Sequence, residues 1–182
     1  RLGWHWWPGT NAIASVPYAG RNPCVRRGTC GSGCNEGAKA STDLTHFPHV
    51  LAAGGRVVTG ATVRRIVVDE RGLACGAEWV DRDGVEHYQS ADVVVCAANA
   101  IGTARLLLAS ASSAHPNGLA NSSGLVGRNL MLHPLASIVG LFDEDFEGWR
   151  AQNGVLIHSH EFATSDASRG FVRGATWALT SS

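Results

Sequence analysis

The sequence predicts an α/β protein, and three observations in its 182 residues carry that expectation. "RVVTGATVRRIVVD", "LACGAEWV" and "VEHYQS" are β-rich runs separated by the turn signals "DERG" and "DRDG". "DVVVCAA" is an unbroken apolar run, the pattern of a strand enclosed on both faces. "IGTARLLLAS" follows it at once as a helix, and a buried strand feeding a helix through small residues presents its carboxyl end to a ligand in an open α/β sheet.

Composition narrows the class. With 45% hydrophobic residues the chain can bury a sizeable core, which excludes a disordered protein. Fifteen basic residues balance fifteen acidic ones, so no global field argues for nucleic acid or an anionic membrane surface. The most apolar stretch is interrupted by Asn99 and Arg105 and falls short of the roughly 18 apolar residues of a membrane span. Five cysteines, an odd number, do not read as a secreted disulfide framework, and the compartment is left open. The chain opens at Arg1 and stops at "LTSS" without a terminal signal, which predicts a piece cut from a longer protein.

Along the chain, residues 1–45 read as loop, with Pro8, Pro17 and Pro23 and no apolar period. Leu2, Trp4, Trp6 and Trp7 need cover, and anchoring of the loop on a core is the expected use, ahead of stacking on a ligand. "STDLTHFPHVLAAGG" predicts a helix of about three turns, with N-cap residues before it, Pro48 in its first turn, and Gly54 and Gly55 after it. The three β runs from Arg56 form an antiparallel meander. The enclosed strand and helix of residues 92–110 come next, then a Gly/Asn-rich loop too long for a simple connection. "LASIVGLF" (135–142) predicts a further strand, and a domain change is placed near residue 134.

"CVRRGTCGSGC" (24–34) places Cys24, Cys30 and Cys34 in one loop with spacing C-x5-C-x3-C. A disulfide would leave one thiol over, and zinc would need a fourth ligand, for which His46 and Asp43 lack a familiar spacing. Three thiolates on a glycine-rich loop suit a three-iron cluster, whose potential backbone amides would tune. Small structural residues are the remaining reading. Cys75 and Cys96 fall inside the expected strands and read as small buried residues. His46 and His49 are read as a solvated helix face, and Lys39 as surface charge.

Four stretches in order, "GCNEGAKAS", "VVTGATVRRI", "VVVCAANAIGTARLLLAS" and "PNGLANSSGLVGRNLMLHP", resemble the glucose-methanol-choline flavoprotein oxidoreductases over about Pro17 to Pro134. Within that family the last stretch and the cysteine loop look most like flavin subunits of bacterial sugar dehydrogenases. The resemblance implies an incomplete FAD-binding, Rossmann-like domain with a β-meander over residues 1–134. A mostly β substrate domain begins at 135–182. It also implies hydride transfer from a CH–OH group of an alcohol or sugar to FAD. Neither the family's G-x-G-x-x-G fingerprint within residues 1–30 nor its catalytic histidine has a counterpart here, so no catalytic residue is assigned. His133, before Pro134, is read as structural.

By the same resemblance, the Val63 backbone contacts adenine, and Ala97, Ala98 and Asn99 let the cofactor approach the head of the helix. Cys24, Cys30 and Cys34 match a loop that binds a [3Fe-4S] cluster and passes electrons to a cytochrome or other acceptor subunit. Asn35 stands where cluster-bearing relatives carry proline. The fragment alone is expected to be inactive. The rival expectation is a non-catalytic iron–sulfur or zinc-binding module that docks a partner through its tryptophan-rich loop.

Overall fold

The computed structural model describes residues 3–145, 147, 150, 157–170, 172 and 174–179. Leu2 and the stretch 151–156 lie outside the described residues. The chain forms two compact units, one of residues 1–56 with 139–182 and one of residues 57–138. The first of these groups the tryptophan loop with residues from the tail of the chain.

In the unit of residues 57–138 the meander forms as its pattern requires. Strands β2 (Thr62–Val68), β3 (Ala74–Val80) and β4 (Glu86–Ser90) pair antiparallel in the order β2-β3-β4. Two aspartates build the two turns by one device: Asp69 Oδ1 accepts the N–H groups of Arg71 and Leu73 at 2.9 Å each, and Asp81 Oδ1 accepts those of Asp83 and Val85 at 3.0 and 2.9 Å. Gly72 and Gly84 take the left-handed backbone that closes each turn, with φ of +79° and +82°. Register pairs Ile66 with Ala77 and Trp79 with His87, and irregularities fall between Val63 and Arg65 and between Val67 and Val68.

Helix α3 (Asn99–Ala109) packs on β2. Its tie to the sheet is Ser110, only 2% exposed, whose hydroxyl donates to the Leu106 carbonyl at 2.7 Å and accepts the Ile66 N–H at 2.9 Å. The loop behind the helix returns to it: the Leu119 N–H donates to the Leu107 carbonyl at 2.9 Å. Ile66, Ser110 and Leu119, with Gly76 and Gly118, are the buried residues of this unit among the described ones.

Two expected strands are absent. Residues 92–97 take no strand conformation, and Val93 and Val95 are 77% and 80% exposed. Residues 135–142 likewise form no ladder, with Leu135, Ile138 and Leu141 largely bare. The reason is lateral: a strand exists only where a neighbour takes its N–H and C=O groups, and no described strand lies beside either run. Cys96 therefore lies outside any strand, whereas Cys75 sits on β3 as expected.

In the other unit, β1 (Trp7–Pro8), β5 (Ile157–Ser159) and β6 (Trp177–Leu179) form a small antiparallel sheet in the order β1-β5-β6. The tryptophans are used as anchors. Trp4 stacks on Trp6 at 5.9 Å, meets Phe162 edge-on at 4.9 Å and lies 5.8 Å from Trp177, while Trp7 meets His160 edge-on at 4.7 Å. The expected three-turn helix is split into α1 (Thr42–Thr45) and α2 (Phe47–Ala52) at His46. Pro48 explains the break, because its ring would clash with the carbonyl of Leu44 in a continuous helix. A proline is tolerated where it stands, in the first turn of α2.

Candidate functional site

The expected cofactor residues lie on two neighbouring elements of one unit. Val63 is on β2, the edge strand of the meander, which pairs only with β3 among the described strands. Alternate backbone groups of such a strand face away from the sheet and are free to pair with another molecule. Ala97, Ala98 and Asn99 stand at the head of α3 and are exposed. Asn99 takes a left-handed backbone with φ of +58°, and its side-chain Oδ1 accepts the Gly102 N–H at 2.9 Å. The Ala98 N–H donates to Thr103 Oγ1 at 3.2 Å. Ala98 has no side chain with which to cap the helix, and a Cβ at Gly102 would stand 3.3 Å from its methyl group. The head of the helix is thus exposed, with the methyl groups of Ala97 and Ala98 beside the Asn99 side chain.

The cysteine loop does not build a cluster site. Cys24, Cys30 and Cys34 are free and half-buried, and they line one shallow concavity with Arg26, Arg27 and Glu36. Among the described residues no three His, Cys, Asp or Glu side chains are placed to share a metal, these three included. Backbone polarity engages the sulfurs instead. The Arg26 N–H donates to the Cys24 sulfur at 3.3 Å. The Lys39 N–H foremost, then, against some desolvation, the N–H groups of Ala38, Glu36 and Gly37 hold the Cys34 thiol below the ordinary range. Among the described residues the loop does not fit a [3Fe-4S] cluster, and no metal site supports the rival docking module.

Some working residues escaped the sequence. Lys39 is not free surface charge, since its ammonium donates to the Cys30 carbonyl at 2.8 Å. Arg21 Nη1 donates to the carbonyl of the fully buried Ala38 at 3.2 Å. His5 Nδ1 lies 3.1 Å from Glu161 Oε2, and Glu161 also faces Arg169 at 3.7 Å. The His5 side chain and N–H, then Arg169, hold the Glu161 carboxyl below the ordinary carboxylate range. Nothing local could signal contacts spanning more than 150 residues. The pair of Asp81 Oδ2 and His87 Nε2 at 2.8 Å, with His87 stacked 4.1 Å from Trp79, was in principle legible from hairpin register. His46, His49 and His133 are exposed. Asn129 takes a left-handed backbone with φ of +54°.

Comparison with known proteins defines the class. Residues 16–135 match the family model described as GMC oxidoreductase, a span that includes the cysteine loop, β2 and the head of α3. The chain belongs to the GMC oxidoreductase family. It is 43% identical over 175 residues, 95% of its length, to a 2-methyl-1,2-propanediol dehydrogenase of Mycolicibacterium austroafricanum, covering 32% of that protein. It is 35% identical over 140 residues to the fructose dehydrogenase large subunit of Gluconobacter japonicus, covering 74% of this chain and 24% of the relative. It is 34% identical over 161 residues to a paromamine 6'-oxidase of Streptomyces fradiae, covering 84% and 30%. The chain thus spans a third or less of the length of these relatives.

Proposed function

We propose that the protein of which this chain forms part is an FAD-dependent dehydrogenase of CH–OH donors, oxidising an alcohol or a sugar hydroxyl. The observation that carries the proposal is the match of residues 16–135 to the GMC oxidoreductase model, together with the open, small-residue head of α3 within it. The names of the relatives support the donor class, since they include a diol dehydrogenase and a fructose dehydrogenase subunit.

Bound FAD would supply the two-electron acceptor for hydride leaving the carbinol carbon. This chain's part is to bind and orient. The backbone at Val63, on the outer edge of β2, pairs with the rim of adenine. The methyl groups of Ala97 and Ala98 hold the cofactor close to the main chain. Asn99 sets the turn at the head of α3, whose positive end favours the pyrophosphate. Residues 1–134 then belong to the cofactor domain of the whole enzyme, and 135–182 begin its substrate domain. The acceptor is a separate redox protein, a reading in keeping with a relative named as a large subunit.

The test is the full-length protein purified and examined by absorption spectroscopy and a dye-linked assay with 1,2-diols, primary alcohols and ketohexoses. Flavin bands, with donor-dependent dye reduction and no peroxide release, are expected. A colourless protein that takes up no added FAD would remove the proposal, and peroxide release would turn it from dehydrogenase to oxidase.

A further inference from the structure

The register of the meander decides which main-chain groups of β2 face its open edge. The Cys75 carbonyl accepts the Ala91 N–H at 3.0 Å, so at that residue β3 faces β4. Main-chain direction alternates along a strand, and the β3–β4 pairing runs without a shift from Gly76 to Val80. Ala77 and Trp79 therefore face β4 as well, which leaves their partners on β2, Ile66 and Val63, turned outward. Ile66 bears this out, since its N–H is met from outside the ladder by the Ser110 hydroxyl at 2.9 Å. No described group takes the outward N–H and carbonyl of Val63 in the same way.

Val63 and Ile66 stand three residues apart, where plain alternation would give two, because Arg64 is an extra residue. Val63 pairs with Trp79 and Arg65 with Glu78, and Arg64 has no opposite number on β3. A bulge of this kind re-aims a side chain beside a site. The two neighbouring arginines are used differently. Arg65 is locked to the Glu78 carboxylate by two bonds of 2.7 and 3.1 Å. Arg64 is exposed and enters no hydrogen bond or ion pair among the described residues.

We propose that Arg64 is a further cofactor-binding residue, whose guanidinium stacks on the adenine ring of FAD. The proposal rests on the reading of Val63 as the adenine contact. A purine held by its rim against a strand edge continues the plane of the sheet, and the side chain of the adjoining residue stands beside that plane. The ribose leaves from the far side of such a purine. The pyrophosphate is then distant from a side chain rooted next to Val63, and the ring face is close. A planar, weakly hydrated guanidinium suits an aromatic face, and a compact ammonium does not replace it there. The bulge thus supplies two things at one point of the edge: the free main chain of Val63 and an arginine with no other partner.

The experiment titrates the full-length apoprotein with FAD, and separately with FMN, which lacks the adenylate, and follows flavin fluorescence. Arg64→Ala is expected to weaken FAD binding about three- to thirtyfold and to leave FMN binding as it was. Arg64→Trp, which keeps a flat stacking surface and loses the charge, should recover most of the FAD affinity, whereas Arg64→Lys should not. Recovery by lysine and not by tryptophan, with an affinity that falls steeply as salt rises, would overturn the proposal in favour of a charge contact with the pyrophosphate. Unchanged FAD affinity in Arg64→Ala would overturn it outright. In the wild type, FAD should also slow hydrogen exchange at the Val63 amide, and an amide already protected in the apoprotein would show that this edge is not free. A wild type that takes up no FAD would remove this inference together with the reading beneath it, while one that binds FAD and fails the other arms removes this inference alone.

Discussion

Asn99 shows how one residue can be readable in type and unreadable in role. Asparagine tolerates left-handed backbone, and here that conformation lets its side chain cap the third turn residue of its own helix. A β-branched residue has no such freedom, so Asn99→Val should lower unfolding stability by about 1–2 kcal/mol while Asn99→Gly leaves it nearly unchanged, as urea melts would show. Asp81 carries a pH dependence. Its carboxyl is held below the ordinary range by the His87 side chain first and by the Val85 and Asp83 amides after it. A depressed folded-state pKa contributes stability above the unfolded value and loses it as pH falls through the folded one. Denaturation midpoints at pH 6 and pH 3 should therefore differ less in Asp81→Asn than in the wild type. An equal loss in both proteins would show that the turn aspartate does not contribute. The D-x-x-G pattern pointed to this turn, but the second bond from His87 required the β3–β4 register.

At the scale of elements, the meander was legible because its signals are local. Aspartate and glycine at fixed offsets dictate each turn, and the β-branched runs between them have nowhere else to go. The helix–sheet joint was only half legible: small residues marked its head, whereas Ser110 at its foot looked like any polar residue ending a helix. Its buried hydroxyl accepts the Ile66 N–H. Ser110→Ala should cost about 1–3 kcal/mol, because it strands a buried donor, and calorimetry would measure it. Gly118 has a φ of +92°, and a Cβ there would stand 2.8 Å from the Leu107 carbonyl and the Leu108 Cα. Gly118→Ala should therefore destabilise the loop against α3 and lower the melting temperature, whereas Gly84→Ala meets no neighbour and should be strained only in its backbone.

Across the whole molecule, the bare apolar runs have a measurable consequence. Val93, Val95 and residues 130–142 expose side chains of a kind proteins cover. If they acquire strand neighbours in the full-length protein, their amides should exchange hydrogen far more slowly there than in the chain of residues 1–182 alone. Equal, rapid exchange in both would mean that these runs never join a sheet. The sequence by itself determined the β-meander, its two turns, the helix behind it and the family, because turn chemistry, periodicity and motif order are properties of short stretches. Only the tertiary structure decided that the tryptophans pack on segments near the other end of the chain, that Lys39 binds the cysteine loop, and that, among the described residues, the three loop thiols are not placed to share a metal. Those outcomes depend on which distant groups meet once the chain has closed its long loops, and spacing along the sequence does not encode the direction in which a side chain points.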